Sequence, residues 1–154
     1  MNMQSIACRL VFSAALCSGL ATAAALGDIT EVWTAYHKNA TVMALVKSHD
    51  GQPIMVGHSN VGPYNNDAFV RKYDTNGNTL WTWTSGLIVE EYVTDAAVDG
   101  QGNIIFISSS GTPPWNREPF EWRLTKLSPA GAMLWTTTYW GPGQNSEPES
   151  VAVD

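Results

Sequence analysis

The chain has 154 residues, of which seven are Trp and 44% are apolar, and it carries a formal charge of −6. So apolar and aromatic-rich a composition excludes a disordered chain. The acidity, with no basic cluster, excludes nucleic-acid binding and attraction to an anionic membrane surface.

In chain order, the first 25 residues read as an export signal. Arg9 supplies a single positive charge, an uncharged Ala- and Leu-rich run follows, and Ala21-Thr22-Ala23 and Ala23-Ala24-Ala25 offer the small-x-small cleavage pattern. The run is short for a membrane-spanning helix and lacks a charged stop-transfer flank, so no stable membrane insertion is expected after cleavage. A retained anchor and a lipoprotein acylated at Cys17 are the weaker readings, the latter because bulky Leu16 stands where a small residue is expected. The mature protein is expected to be secreted, periplasmic or at the cell surface. Cys8 and Cys17 both fall inside this segment, so cleavage leaves no thiol and no disulfide, and losing Arg9 takes the charge to −7. An ordinary core or partner chains must then hold the fold.

Residues 26–39 contain Val32-Trp33-Thr34-Ala35-Tyr36, expected to be a lone strand able to close a ring. From residue 40 the sequence repeats itself. Lys72, Gly77, Leu80, Trp81 and Thr82 recur 54 residues later as Lys126, Gly131, Leu134, Trp135 and Thr136, and Gly51 pairs with Gly102. Ala97-Val98-Asp99 returns as Ala152-Val153-Asp154, which reads as a third unit just begun at 142–154. In the second unit, strands are predicted over 93–98, 104–109, 120–127 and 133–139. Val, Ile, Thr and Trp fill them, and Gly, Asn, Asp and Pro fill the gaps. Asn76-Gly77 predicts a type I′ hairpin turn. Four antiparallel strands per unit, repeated in tandem over 40–86 and 87–141, predict an all-β fold, a partial β-propeller of four-stranded blades. In that fold Leu80 and Leu134, or Trp81 and Trp135, wedge between neighbouring blades.

Asp67-Ala68-Phe69-Val70-Arg71-Lys72-Tyr73-Asp74 and Gly77-Asn78-Thr79-Leu80-Trp81 resemble the phrase that marks the bacterial SBBP-type β-propeller repeat family. The second copy keeps Lys126, Gly131, Leu134 and Trp135. The resemblance covers most of 40–154 and implies an exported or surface-located propeller without implying an activity. A looser similarity to quinoprotein propellers fails at Asp74–Gly77, which is one residue short, and at Ser128, which replaces an Asp.

No catalytic residue, metal-ligand set or cofactor motif is read from the sequence. There is no G-x-S-x-G, no H-E-x-x-H, and no metal spacing among His37, His49 and His58. Asp74–Asn78 lacks the remaining ligands of a calcium loop and reads as a turn. Function is therefore sought on the loops. Connections 57–66, 85–92, 110–119 and 141–149 are predicted to be long and to share one face of the scaffold, the usual place for binding. The candidate ligand-binding residues there are Tyr64, Asn66, Glu90, Glu91, Trp115 and Arg117, beside Asn65, Asn116, Glu147 and Glu149. Carbohydrate or protein is the expected ligand of a non-enzymatic scaffold. The alternative is the N-terminal part of a propeller enzyme, such as a lyase, hydrolase or quinoprotein, with its site in further blades. Self-association through exposed blade edges is a third expectation.

Overall fold

The computed structural model of the chain describes residues 35, 37–63, 65–111, 121–140 and 148–154. The expected export signal and most of the lone strand at 32–36 lie outside the described residues. Eight strands follow one another: β1 (Ala40–Lys47), β2 (Pro53–Gly62), β3 (Asn65–Tyr73), β4 (Thr79–Thr84), β5 (Glu90–Val98), β6 (Ile104–Gly111), β7 (Glu121–Leu127) and β8 (Met133–Trp140). They form two antiparallel four-stranded sheets in sequence order, β1-β2-β3-β4 and β5-β6-β7-β8, and no helix occurs among the described residues. The segments 93–98 and 133–139 thus share one sheet, and the protein is all-β.

The sheets are copies in detail. The first strand of each is irregular at the same place, between Val42 and Ala44 and between Val93 and Asp95. The third strand shifts register at Lys72/Tyr73 in one and at Lys126/Leu127 in the other. Four hairpin turns share a single geometry. Gly51, Gly77, Gly102 and Gly131 donate their N–H to the carbonyl three residues back at 2.9–3.1 Å, each with φ of 82–84°. This is a type I turn ending in a left-handed residue, and it corrects the expected type I′ turn at Asn76-Gly77. Type I′ needs positive φ at two successive residues, and Asn76 does not have it. Asp74 supplies the reason: its carboxylate accepts the N–H groups of Asn76 and Asn78, both at 2.8 Å, and wraps the turn in the type I form. Asp99 does the same for Gln101 and Asn103.

One core joins the sheets. Ile54, Val56, Ala68 and Val70 from β2 and β3 face Val93, Ala96, Ile104, Phe106 and Leu127 from β5, β6 and β7. Trp81 and Trp83 of β4 close its margin, with Trp83 tilted against Phe106 at 5.5 Å. The expected leucine-or-tryptophan wedge is resolved in favour of Trp81, which packs on the turn of the other sheet. A Cβ at Gly131 would sit 2.8 Å from the Trp81 ring. Leu80 and Leu134 are exposed instead, because β4 pairs Trp81 with Lys72 and alternation turns Leu80 outward. Trp135 is also exposed, since no described sheet lies beyond it. On the far side of the first sheet Met55, Phe69 and Tyr73 are buried beneath Ala35, Ala40 and Val42, and the His37 ring stands edge-on to Phe69 at 4.2 Å.

Each sheet has one lysine clamp. Lys72 Nζ reaches Asp50 at 2.8 Å and Lys126 Nζ reaches Asp99 at 2.7 Å, so the third strand is tied to the first turn. The Lys72 and Ser48 hydrogen bonds hold the Asp50 carboxyl down at about 2, and those of Lys126 and Asn103 hold Asp99 lower still.

Gly51 and Gly131 separate backbone strain from crowding, because an added methyl at Gly51 meets nothing within 4 Å. Gly51→Ala is expected to lose about 1 kcal/mol to the left-handed backbone. Gly131→Ala is expected to lose about 3 kcal/mol, since the ring must also move. Urea unfolding of both variants measures the difference, and equal losses would remove Trp81 from the joint.

Candidate functional site

Two of the predicted long loops are strand. The 57–66 connection shrinks to a tight turn, because β2 runs on to Gly62 and β3 begins at Asn65, with Ser59 opposite Asp67 and Asn60 opposite Asn66. The 85–92 connection shrinks to 85–89, because Glu90 and Glu91 open β5 opposite Gly111 and Ser110. Both glutamates are buried, at 5% and 3% exposure, and stand on a strand and not on the long loop where they were expected. Tyr64, Trp115, Asn116, Arg117 and Glu147 lie outside the described residues. Glu149 is described and exposed, on a segment without regular structure.

Asn66 and Glu90 do come together, through a residue the sequence reading missed. The Tyr92 hydroxyl donates to Glu90 Oε2 at 2.7 Å. The Asn66 amide bonds the same phenol, and Asn60 Nδ2 donates to Asn66 Oδ1 at 3.4 Å. His58 stands edge-on to the Tyr92 ring at 5.1 Å. Burial and then the Glu90 carboxylate push the Tyr92 phenol up to about 12, while Asn66 pulls the other way. Burial lowers the His58 pKa, opposed by its bond to the Val93 backbone. The signal for Tyr92 was the spacing Glu90-x-Tyr92, which puts both side chains on one face of a strand.

Glu91 points elsewhere. Its Oε2 accepts the Ala68 N–H at 3.5 Å, just where β4 has left the edge of β3 and Ser85 N–H still donates to Ala68 O at 3.0 Å. The carboxylate stands in for the carbonyl that a longer β4 would supply. Burial raises the Glu91 pKa, and Asp67 beside it is raised by burial too. Arg123 eases the charge on Glu91. It is itself ion-paired with Glu121 and donates to Ser110 Oγ at 3.2 Å.

These contacts strap the 85–89 linker to the start of β3. With its amide oriented to satisfy both acceptors, Asn65 donates to Val89 O at 3.0 Å and Leu87 O at 3.2 Å. Between those anchored carbonyls Ile88 projects into solvent at 92% exposure. Val61, near the end of β2, is also exposed. The end of the scaffold thus presents two apolar side chains beside the Asn60 and Asn66 amides.

Among the described residues no group of three His, Cys, Asp or Glu side chains is placed to hold a metal, and no helix is long and apolar enough to cross a membrane. No protein-family model matches the chain, and no curated protein matches it.

The two buried acids generate separate predictions. A raised carboxyl favours the folded state fully below its ordinary value of 4.5, and that contribution is lost as pH rises through the raised value. Relative to Glu91→Gln, the parent is therefore expected to lose stability from pH 4.5 upward, read by urea unfolding across pH; a gap constant with pH would refute the buried charge. For Tyr92, absorbance titration is expected to place the phenol near 12 in the parent and nearer its ordinary 10.0 in Glu90→Gln.

Proposed function

We propose that the chain is an exported β-propeller scaffold of the SBBP-repeat kind that acts without catalysis, by binding a protein partner at its β2–β3 and β4–β5 end. The propeller reading is supported by two sheets of the same strand order, with matching irregularities in their first and third strands and matching glycine turns, stacked through Trp81. The non-enzymatic reading is supported by where the charged groups go. Lys72, Lys126, Glu90, Glu91 and Arg123 each have a partner within the fold.

One observation carries the binding reading: Ile88, tethered on both sides and almost wholly exposed. A rigid apolar side chain loses little entropy when it enters a partner's pocket, and the flanking amides supply directional hydrogen bonds. An apolar knob of this kind fits a protein groove better than a sugar, which would call for a flat aromatic face. Glycan binding is therefore the competing outcome.

The test replaces Ile88 with a photo-crosslinking phenylalanine analogue in the exporting cell. Adducts with an extracytoplasmic protein are expected at position 88, and they should fall at least tenfold when Asn60 and Asn66 are changed to Ala. A glycan array run in parallel gives the opposing result: sugar binding with no protein adduct at 88 overturns the proposal.

A further inference from the structure

Asn76 is the one asparagine in the sequence that has a glycine after it. Without a Cβ, glycine leaves its backbone nitrogen open to approach by the preceding side chain. The structure sets Asn76 apart a second time. Asn78 and Asn103 give their side-chain amides to Asp74 and Asp99, Asn60 and Asn66 are joined to each other, and Asn65 is engaged by Val89 and Leu87. Asn39 is exposed, but Ala40 follows it. Asn76 is exposed too, and its side-chain amide has no partner among the described residues; only its backbone N–H is held, by Asp74. The Gly77 N–H donates to Asp74 O at 3.1 Å, whereas the matching bonds of Gly51, Gly102 and Gly131 are each 2.9 Å. Of the four equivalent turns, the one that carries Asn-Gly is therefore the most loosely closed.

We propose that Asn76 is a site of spontaneous deamidation, which ages the hairpin that carries Trp81. Hydroxide removes the Gly77 N–H proton, and the nitrogen attacks Asn76 Cγ. The new N–C bond closes an imide ring as the Cγ–Nδ2 bond breaks, and ammonia leaves with a proton taken from water. Water then opens the ring. Cleaving the bond between Gly77 N and Cγ gives aspartate; cleaving the bond between Gly77 N and the Asn76 backbone carbon gives isoaspartate, whose chain runs through Cγ. Because the folded turn engages the Gly77 N–H, the reaction proceeds from brief openings of the hairpin tip. Those openings cost little, since β4 is the end strand of its sheet and pairs with β3 alone. Either product damages the turn. Both put a second carboxylate beside Asp74, and isoaspartate also lengthens the backbone by one carbon, so the Gly77 N–H no longer meets Asp74 O. β4 begins at Thr79, directly after this turn, and seats Trp81 against Gly131, so the damage reaches the joint between the sheets. The inference is independent of the Ile88 surface, which lies on the β4–β5 linker.

Peptide mapping by mass spectrometry of the purified full chain tests it, with isoaspartate scored by enzymatic methylation. Position 76 is expected to convert to the acid about tenfold faster at about pH 8.5 than at about pH 7.5, while Asn39, Asn60, Asn66, Asn78 and Asn103 keep their amides. Asp74→Ala frees the turn and should speed conversion at least about fivefold. Asn76→Gln should stop it, because the longer side chain would have to close a larger ring. Should Asp74→Ala fail to fold, Gln101→Asn leaves the first hairpin untouched and puts Asn-Gly into the matching turn of the second sheet. That site should convert more slowly than Asn76, because Lys126 clamps Asp99 there. The converted fraction, separated by its added negative charge, is expected to unfold at lower urea than the unconverted one. An Asn76 still intact after about ten times the period in which the urea-unfolded chain converts overturns the proposal. So does conversion of another asparagine ahead of it. A converted fraction with the parent's urea midpoint overturns the link to Trp81.

Discussion

The contact between the two sheets is the constraint on which everything else rests. Each four-stranded sheet has an apolar face that water would penalise, and a single small sheet cannot cover itself. Ile54, Val56, Ala68 and Val70 are buried only because Val93, Ala96, Phe106 and Leu127 stand opposite them. That mutual cover fixes where β5 begins, and β5 carries Glu90, Glu91 and Tyr92 at the β4–β5 end. The joint is tightest at Trp81 and Gly131, where a ring occupies the space that any other residue's Cβ would need.

Burying strands at both ends of a short linker creates a second problem: backbone donors and carboxylates are left inside with few places to go. The chain answers by pairing them with each other. Glu91 takes the Ala68 N–H, Glu90 takes the Tyr92 hydroxyl, and Asn65 serves two linker carbonyls. The acids gathered at this end are thus structural in origin, and a surface emerges as their by-product, because a linker pinned at Leu87 and Val89 has to put Ile88 somewhere.

How much of this was legible depended on which force spoke through the residue type. The four hairpin glycines announced themselves, since a left-handed turn position tolerates little else, and the spacing of 54 marked the repeat. The type of turn did not, because it is set by the Asp74 carboxylate accepting two amides, a tertiary-scale detail inside a local motif. Gly57, Ser59 and Asn60 have the composition of a loop and were read as one. They lie in a strand because β1 and β3 pair with β2 on either side, and ladder hydrogen bonds outweigh weak propensities. Glu90 and Glu91 misled for the same reason. Charge at an element boundary usually means solvent, and only the fold shows a phenol and an unpaired amide waiting for them.

The lysine clamps have a consequence for how the sheets come to be aligned at all. Lys72 and Lys126 each point along one face of their strand toward an aspartate near the first turn. Slipping that strand by one residue would swing the ammonium to the opposite side, away from its anion and into an apolar layer. Misaligned ladders are thereby penalised while the sheet is still assembling. Each blade-like unit proofreads its own alignment with a single cation, before its neighbour is there to help.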